Sequence, residues 1–193
     1  MNVKILYNLW GNVLRKVYDS GSLDGIIQKV WLLKFLSGKM IGIVMKICLV
    51  CSSGGHLQHL YMLRKFWSKH ERFWVTFDKE DTRSILENEN IFACCYPTNR
   101  SIKAMFWNTV LAWRVLQKEK PDIIISSGAA VAVPFFYIGK VLGIKTMYIE
   151  VFDRINRPTL TGRLVYPVAD TFIVQWEEMK KFYPKAENLG SIF

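Results

Sequence analysis

The stretch MKICLVCSSGGHL, residues 45–57, carries most of the information about the fold. Its first half is an apolar run that predicts a buried β-strand over residues 46–51. Its second half places two serines, two glycines and a histidine directly before a segment with helical spacing of apolar residues. A strand, a short loop of small residues and a helix, in that order, are typical of the first unit of a parallel α/β sheet.

The same alternation continues along the chain. Further strands are predicted at 73–77, 91–96, 123–126, 145–150 and 171–175, and helices at 56–70, 82–89, 101–119, 130–142 and 159–168. The strands are short and rich in Ile and Val, which is typical of parallel strands covered by helices on both faces. Residues 45–193 are therefore predicted to form a Rossmann-like, doubly wound parallel sheet.

Two of the predicted βα loops share one design, a run of small residues followed by a helix. They are Ser52, Ser53, Gly54, Gly55 and His56 after the first strand, and Ser127, Gly128 and Ala129 after the fourth. Ligands of such sheets bind at the carboxyl ends of the strands, and backbone amides ahead of a helix can hold an anion. We expect the two loops together to hold a diphosphate. The alternative is that the glycines only serve turn geometry, since neither loop has a Walker ending or a GxGxxG pattern.

Two side chains in these loops are candidates for chemistry. His56 begins a helix at the crevice, where an imidazole can bind a phosphate, act as a general base or simply cap the helix. Glu150 ends the fifth strand and is expected to point into the same crevice, where it would orient or deprotonate a hydroxyl. Its alternative roles are helix capping or an ion pair with Arg154 or Arg157. A metal pair of His56 with His59 is disfavoured because no third ligand lies nearby, and no metal is expected.

The four cysteines are expected to be reduced core residues of a cytosolic protein. Cys48 and Cys51 form a CxxC, but they lie within a predicted buried strand and no second ligand pair follows at zinc spacing. Cys94 and Cys95 are neighbours at the end of another predicted strand. We therefore interpret all four as small apolar side chains rather than as a metal or redox site.

The bulk composition is that of a basic globular protein. The chain has a formal net charge of +10, with 51% apolar, 22% charged and 14% aromatic residues. This excess of positive charge suggests an anionic partner, such as a phosphorylated ligand, a membrane surface or a nucleic acid, and the alternative is a merely solvated basic face.

Residues 1–44 differ from the rest and are interpreted as a separate basic, amphipathic extension. They hold six basic and two acidic residues among apolar ones. The extension would lie on an anionic membrane, pack on the domain as a helical hairpin, or precede a true start at Met45. We predict no signal peptide, and no transmembrane helix because lysines interrupt the most apolar stretch, residues 26–44.

The long helix over 101–119 is predicted to carry two kinds of surface. Its apolar stripe is expected to face the core, and consists of Ile102, Met105, Phe106, Val110, Trp113 and Leu116. Arg100, Lys103 and Trp107 fall beside that stripe and are expected to contact lipid headgroups, because Trp and basic side chains favour the membrane interface.

Several of these stretches resemble one family closely: SSGGHL, PDIIISSGAAVAVPF and YIEVFDR, followed by TLTGRLVYPVADTFIVQWEE. It is the family of the membrane-anchoring subunit of the eukaryotic dolichol-pathway UDP-GlcNAc transferase. Its bacterial branch, of the PssD and CpsF type in capsule and exopolysaccharide assembly, is the closer match over residues 45–193. A weaker resemblance, through Gly54-Gly55-His56, the second loop and Glu150, reaches the amino-terminal half of MurG. The second loop departs from that pattern at Ala129.

The resemblance implies one half of a GT-B glycosyltransferase on the cytoplasmic face of the cell membrane, peripheral or anchored by its amino terminus. This half would bind a polyprenyl-diphosphate-linked saccharide, while a partner chain would bind the UDP-sugar donor. No cofactor and no nucleic acid would be involved. The partner would dock on the carboxyl-terminal residues Asn188, Leu189, Gly190, Ile192 and Phe193. The rival hypotheses are a non-catalytic adaptor that activates its partner, and a nucleotide-binding Rossmann protein.

Overall fold

In the computed structural model, residues 44–97, 101–188 and 190 are described. They form a seven-stranded sheet in the order β3-β2-β1-β4-β5-β6-β7, and every neighbouring pair is parallel. The strands are β1 Lys46–Val50, β2 Glu71–Thr76, β3 Ile91–Ala93, β4 Ile123–Ser126, β5 Lys145–Ile149, β6 Thr171–Val174 and β7 Glu187–Asn188. The predicted Rossmann-like α/β fold is confirmed.

Helices cover both faces of the sheet. They are α1 Gly55–Tyr61, α2 Arg64–Trp67, α3 Glu80–Ile85, α4 Ile102–Glu119, α5 Ala132–Val141 and α6 Leu160–Val165, followed by a 3-10 helix at Glu177–Lys181. The buried side chains of α4, α5 and α6 belong to one core cluster, and those of α1 and α2 belong to a second. Because the strands are buried on both faces, they read as continuous apolar runs rather than as alternating patterns.

The strand pleat separates the two cysteines of the CxxC. Cys48 lies in the core under α4 and α5, whereas Cys51 lies in the core under α1 and α2. Successive strand residues point to opposite faces, so a spacing of three sends the two thiols apart. Cys48, Cys51 and Cys94 are free and buried as expected, but Cys95 is exposed, which corrects the prediction for that residue.

One predicted helix is divided. The segment 56–70 forms α1 and α2 with a break at Leu63, whose amide donates to the Leu60 carbonyl at 3.1 Å. The indole Nε1 of Trp67 also donates to that carbonyl, at 2.8 Å. The Leu60 carbonyl therefore accepts both of these hydrogen bonds, and the regular pattern of α-helical hydrogen bonds ends there.

The buried face of α4 is not the predicted one. Ile102, Phe106 and Trp113 are 89%, 61% and 45% exposed, and Trp107 is 48% exposed. The side chains that α4 buries are Ala104, Asn108, Ala112, Val115 and Leu116. Small residues let α4 approach its neighbour α5 closely, and the larger aromatic side chains are left on the outside. Of the expected core stripe, Leu116 is buried and Met105 and Val110 are half-buried, so the prediction is wrong for the three exposed residues.

The order in which strands are added to the sheet changes direction between β1 and β4. After β1 the chain moves outward through β2 and β3, and it then returns to pair β4 with the other side of β1. The loops that follow β1 and β4 are therefore neighbours at the carboxyl edge of the sheet. Open α/β sheets bind their ligands at this kind of crevice.

Some predictions fall outside the described residues. These include residues 1–43 of the predicted extension, Arg100 of the predicted membrane surface, and Leu189, Ile192 and Phe193 of the predicted docking segment. Within the described part of the chain, no helix combines the length and the apolar character needed to cross a membrane.

Candidate functional site

A cleft of about 510 Å³ opens at the carboxyl edge of the sheet, where the loops after β1 and β4 meet. Ser52, Ser53 and His56 of the first loop line it, together with Ala129 of the second. The lining also includes residues that the sequence did not single out: Phe77, Lys79, Tyr96, Pro97, Ala130, Tyr148, Thr159 and Thr161.

The two loops are clasped together by a reciprocal pair of hydrogen bonds. The Ser127 hydroxyl donates to the backbone carbonyl of His56 at 2.7 Å. The imidazole Nδ1 of His56 lies 3.0 Å from the Ser127 carbonyl oxygen. A carbonyl oxygen can only accept, so Nδ1 carries the proton and donates. In the neutral ring, Nε2 is then the nitrogen that accepts a hydrogen bond or a proton.

Burial lowers the pKa of His56 below its ordinary value of 6.5. The hydrogen bond to Ser127 and the charge of Asp153 act in the opposite direction, and the charge of Arg154 adds to the lowering. The imidazole is therefore neutral at pH 7, with Nε2 unprotonated. This state suits a general base or a hydrogen-bond acceptor better than it suits a donor to phosphate.

Gly128 allows the close approach of the second loop to His56. Its φ is +134°, and a Cβ at this position would lie 2.5 Å from Cε1 and 2.7 Å from Nδ1 of His56. Ser127 and Gly128 therefore lie behind the imidazole and hold it in place rather than lining the cleft.

Ala129 adopts a backbone conformation that favours glycine. Its φ is +69°, in the left-handed region that side chains with a Cβ rarely occupy. At the position where the sequence departs from the glycine-rich pattern, the backbone thus has a conformation that a glycine would adopt without strain. Local strain of this kind is characteristic of ligand-binding loops.

In the first loop, one amide is already engaged. The N–H of Gly54, which has φ +76°, donates to the Asp81 carboxylate at 3.0 Å. Gly54 thus supplies the turn, and its amide is bound by the exposed Asp81 carboxylate of the same chain. Side chains at Gly54 and Gly55 would meet no atom within 4 Å, so these glycines are not required for close packing.

Glu150 is not open to the crevice, which corrects its expected placement. Its side chain is 1% exposed. The carboxylate accepts hydrogen bonds from the Thr159 hydroxyl at 2.9 Å and the Tyr183 hydroxyl at 2.9 Å. Desolvation raises the pKa of Glu150, and the bonds from Thr159 and Tyr183 oppose that rise.

Thr159 connects Glu150 with the cleft. Its hydroxyl accepts from the amide of Gly162 at 2.9 Å and so caps the amino terminus of α6. It also lines the cleft and lies 3.3 Å from the hydroxyl of Tyr148. Of the alternatives left open by the sequence, support of the helix start is the one that the geometry shows, while no ion pair with Arg154 or Arg157 is seen among the described residues.

No group of three His, Cys, Asp or Glu side chains within the described ranges is arranged to hold a metal ion.

Of the predicted docking segment, Asn188 lies in β7 at the edge of the sheet, and its side chain donates to Glu177 at 2.7 Å. The Gly190 amide donates to the Asn188 side chain.

Comparison with protein families gives a match over about half of the chain. Residues 95–192 match the family described as "Oligosaccharide biosynthesis protein Alg14 like". A human protein named UDP-N-acetylglucosamine transferase subunit ALG14 is 25% identical over 77% of this chain and 83% of its own length. The protein of the same name from Yarrowia lipolytica is 28% identical over 75% of this chain and 80% of its own length.

Two solved structures share the fold. MurG from Acinetobacter baumannii superposes with a TM-score of 0.59 at 17% identity, covering 69% of this chain and 42% of MurG. UDP-N-acetylglucosamine 2-epimerase from Rickettsia bellii superposes with a TM-score of 0.60 at 15% identity, covering 74% and 42% of the two chains. The chain thus spans less than half the length of these structures, and the likeness shows the fold alone.

Proposed function

This chain belongs to the family of Alg14-like oligosaccharide biosynthesis proteins, and from that premise we propose that it is one subunit of a two-chain glycosyltransferase. The complete enzyme transfers a sugar, of the GlcNAc type, from a UDP-sugar to a polyprenyl-diphosphate-linked acceptor. This chain binds the acceptor, and the partner chain binds most of the donor. The relatives' shared name, which describes a transferase subunit, supports both the reaction and the need for a second chain.

The observation that carries this proposal is the cleft at the carboxyl edge of the sheet, where the loops after β1 and β4 meet. Hydroxyl groups of Ser52, Ser53, Thr159 and Thr161 line it beside His56, and aromatic rings form part of its wall. Hydroxyl groups suit the oxygens of a diphosphate, and aromatic faces suit the apolar faces of a sugar ring. The cleft therefore has the chemistry of a site for a diphosphate-linked saccharide.

Within this site we assign different roles to the two candidate catalytic residues. His56 is neutral, with Nε2 as the accepting nitrogen, and acts as the base or hydrogen-bond acceptor for the acceptor hydroxyl. Glu150 acts as a positioning residue through Thr159, since its carboxylate is buried behind that hydroxyl. Helix dipoles and basic groups would stabilise the leaving diphosphate, with no metal or other cofactor.

A reconstitution experiment tests the function. The full chain is expressed in its native cells, and the partner chain that co-purifies with it is identified. This chain, the partner and the pair are then each assayed for transfer from UDP-GlcNAc to a prenyl-diphosphate acceptor. We expect transfer by the pair and little by either chain alone. Full activity of the partner by itself would favour the non-catalytic adaptor, and binding of NAD by this chain alone would favour a different Rossmann protein.

The outer face of α4 is proposed as a membrane contact. Ile102, Phe106, Trp107 and Trp113 are exposed on this helix, and Lys103 lies among them. Exposed aromatic rings with interspersed cations fit the headgroup layer of an anionic membrane. This surface is larger than the sequence predicted, because the aromatic residues that were assigned to the core belong to it.

Liposome flotation tests this contact. Replacing Phe106 and Trp107 with Ser and Lys103 with Gln in the full chain should lower binding to anionic vesicles about fivefold or more, since one cation alone contributes about 1 kcal/mol near such a surface. Binding by the unaltered chain should fall with added salt. The control is Val141→Ser, which removes an exposed apolar side chain from the far end of α5. Equal flotation of the triple variant and the control would refute the assignment.

The setting of the reaction is also part of the proposal. The chain would act at the cytoplasmic face of the cell membrane in the bacterial branch that builds capsules or exopolysaccharides. The partner subunit would dock near the carboxyl-terminal residues, where Asn188 already extends the edge of the sheet.

A further inference from the structure

A lysine lies at the cleft in a position that the sequence did not reveal. The amine of Lys79 lies 4.5 Å from the centre of the Tyr96 ring and 5.7 Å from that of Phe77. These two rings meet edge to face at 5.3 Å, and all three side chains line the cleft. We propose that Lys79, held over the Phe77–Tyr96 pair, is the cation that binds the diphosphate in this cleft.

Two of the three acidic residues within two positions of Lys79 in the sequence, Asp78 and Asp81, are already engaged elsewhere. Asp78 accepts from Nε and Nη2 of Arg83 at 2.6 and 2.8 Å, and Asp81 accepts from the Gly54 amide. Among the described residues, no carboxylate forms an ion pair with Lys79. The charge of Lys79 is therefore left for a ligand.

The backbone holds this lysine at the end of β2. The Lys79 amide donates to the Phe77 carbonyl at 3.0 Å, and the Lys79 carbonyl accepts from the Arg83 amide at 2.9 Å at the start of α3. The segment next to Tyr96 is also fixed, because the buried Asn108 of α4 accepts from the Cys95 amide at 2.8 Å and donates to its carbonyl at 3.2 Å. The backbone segments that carry Lys79 and Tyr96 are thus fixed by separate elements.

The remaining lining makes the charge of Lys79 decisive. Among the described residues, it is the one Lys or Arg that lines the cleft, and no Asp or Glu lines it. A single cation among neutral hydroxyl groups, in a crevice with apolar walls, favours an anion over a neutral sugar. Lys79 is exposed, and its contacts with the rings of Phe77 and Tyr96 favour this position of the cation.

The inference rests on the proposed function in that the anion is taken to be a diphosphate. Two kinds of molecule present a diphosphate here, a lipid-linked saccharide and a nucleotide sugar. Farnesyl diphosphate and UDP serve as probes of these two sources, and inorganic phosphate serves as a probe of anion binding in general. Binding is measured by calorimetry with the full chain in detergent.

The variants separate charge from shape. Lys79→Met keeps the aliphatic stem over the rings but removes the charge, and Lys79→Arg restores the charge. Lys145→Met is the matched control, because this exposed lysine lies at the opposite, amino-terminal edge of the sheet. We expect Lys79→Met to bind farnesyl diphosphate about tenfold more weakly, as for the loss of a charge-assisted hydrogen bond. Lys79→Arg and Lys145→Met should remain within about threefold of the unaltered chain, a difference below 1 kcal/mol by the same conversion.

The outcomes distinguish this inference from the function on which it rests. Unchanged binding of farnesyl diphosphate by Lys79→Met would overturn the role of Lys79 and leave the proposed acceptor site in place. A tenfold loss for UDP, with no farnesyl diphosphate binding by any form, would place a nucleotide rather than the lipid acceptor in the cleft. Absence of binding of all three probes to the unaltered chain would overturn both proposals.

Discussion

Replacing Gly128 with Ala is expected to destabilise the chain by about 2–4 kcal/mol, from backbone strain and overpacking together. The φ of +134° disfavours any residue with a Cβ, and the added carbon would lie within 2.7 Å of two atoms of the His56 ring. The imidazole must then move, which breaks the hydrogen bond from Nδ1 to Ser127. Urea unfolding of the full chain measures the loss of stability as a lower transition midpoint.

Two other glycines supply matched controls for this prediction. Gly143 has φ +73° but open space around it, so Gly143→Ala should show backbone strain alone, about 1–2 kcal/mol. Gly55 lies in α1 without positive φ or close neighbours, so Gly55→Ala should be neutral or stabilise the chain by up to about 1 kcal/mol. If Gly128→Ala unfolds at the same urea concentration as Gly143→Ala, the close packing of the second loop on His56 is refuted.

Replacing His56 with Gln is expected to lower the turnover of the reconstituted pair about 100- to 10,000-fold, the usual contribution of a general base. The unaltered pair should lose activity as the pH falls, with a midpoint below 6.5, because burial lowers the pKa of His56 and only the neutral ring accepts a proton. The pH–rate profile of the His56→Gln pair should lack this acid limb. His70→Gln is the control, since His70 lies at the far edge of the sheet next to the start of β2.

The kinetic constants separate the two roles considered for this histidine. Loss of a base lowers kcat, whereas loss of a phosphate ligand raises KM for the acceptor. A His56→Gln pair with an unchanged kcat and an unchanged acid limb would contradict the assignment as a base.

The same pKa shift has a defined effect on stability. Well above pH 6.5 His56 is neutral in both the folded and the unfolded chain, so its protonation does not reduce the free energy of unfolding. As the pH falls below 6.5 the unfolded chain takes up the proton first, so the folded state loses stability until the pH passes the lowered pKa. The pKa values of His59 and His70 are lowered as well, mainly by burial, so acid should destabilise the protein through all three histidines.

The order of the strands and helices follows from the sequence because apolar runs alternate with helical spacing. The predicted strand 123–126 matches β4, and five other predicted strands differ from the observed ones by a few residues at their ends. The strand β7 was missed, since two polar residues, Glu187 and Asn188, carry no apolar pattern and pair with the sheet only through the backbone.

The outward face of α4 shows why some surfaces escape sequence analysis. Ile102, Phe106 and Trp113 have the spacing of a core stripe, yet they are exposed, and Ala104 and Ala112 are buried in their place. Periodicity gives the angle between residues around a helix, but it does not say which side faces the sheet. A surface built for lipid or a partner has the same composition as a core.

The chemistry of the site was predictable where it depends on the ends of strands. His56 and the serines of the first loop line the cleft as expected. The burial of Glu150 was not predictable, because it depends on Thr159 and on Tyr183, which is 33 residues away in sequence. Lys79 was missed because its proposed role depends on its contact with Tyr96. It also depends on the hydrogen bonds that Asp78 and Asp81 accept from Arg83 and Gly54. None of these contacts can be read from the local sequence.

The proposed function makes this chain a contributor to the active site of the two-chain enzyme. The most direct test is the rate of sugar transfer by the reconstituted pair when this chain carries Gly128→Ala, compared with Gly143→Ala at a temperature where both variants are folded and bind the partner. We predict that Gly128→Ala lowers the rate about 100-fold or more, by displacing His56, while Gly143→Ala leaves it close to that of the unaltered pair. Equal rates for the two variants would contradict the claim and would leave this chain as an adaptor whose cleft takes no part in the reaction.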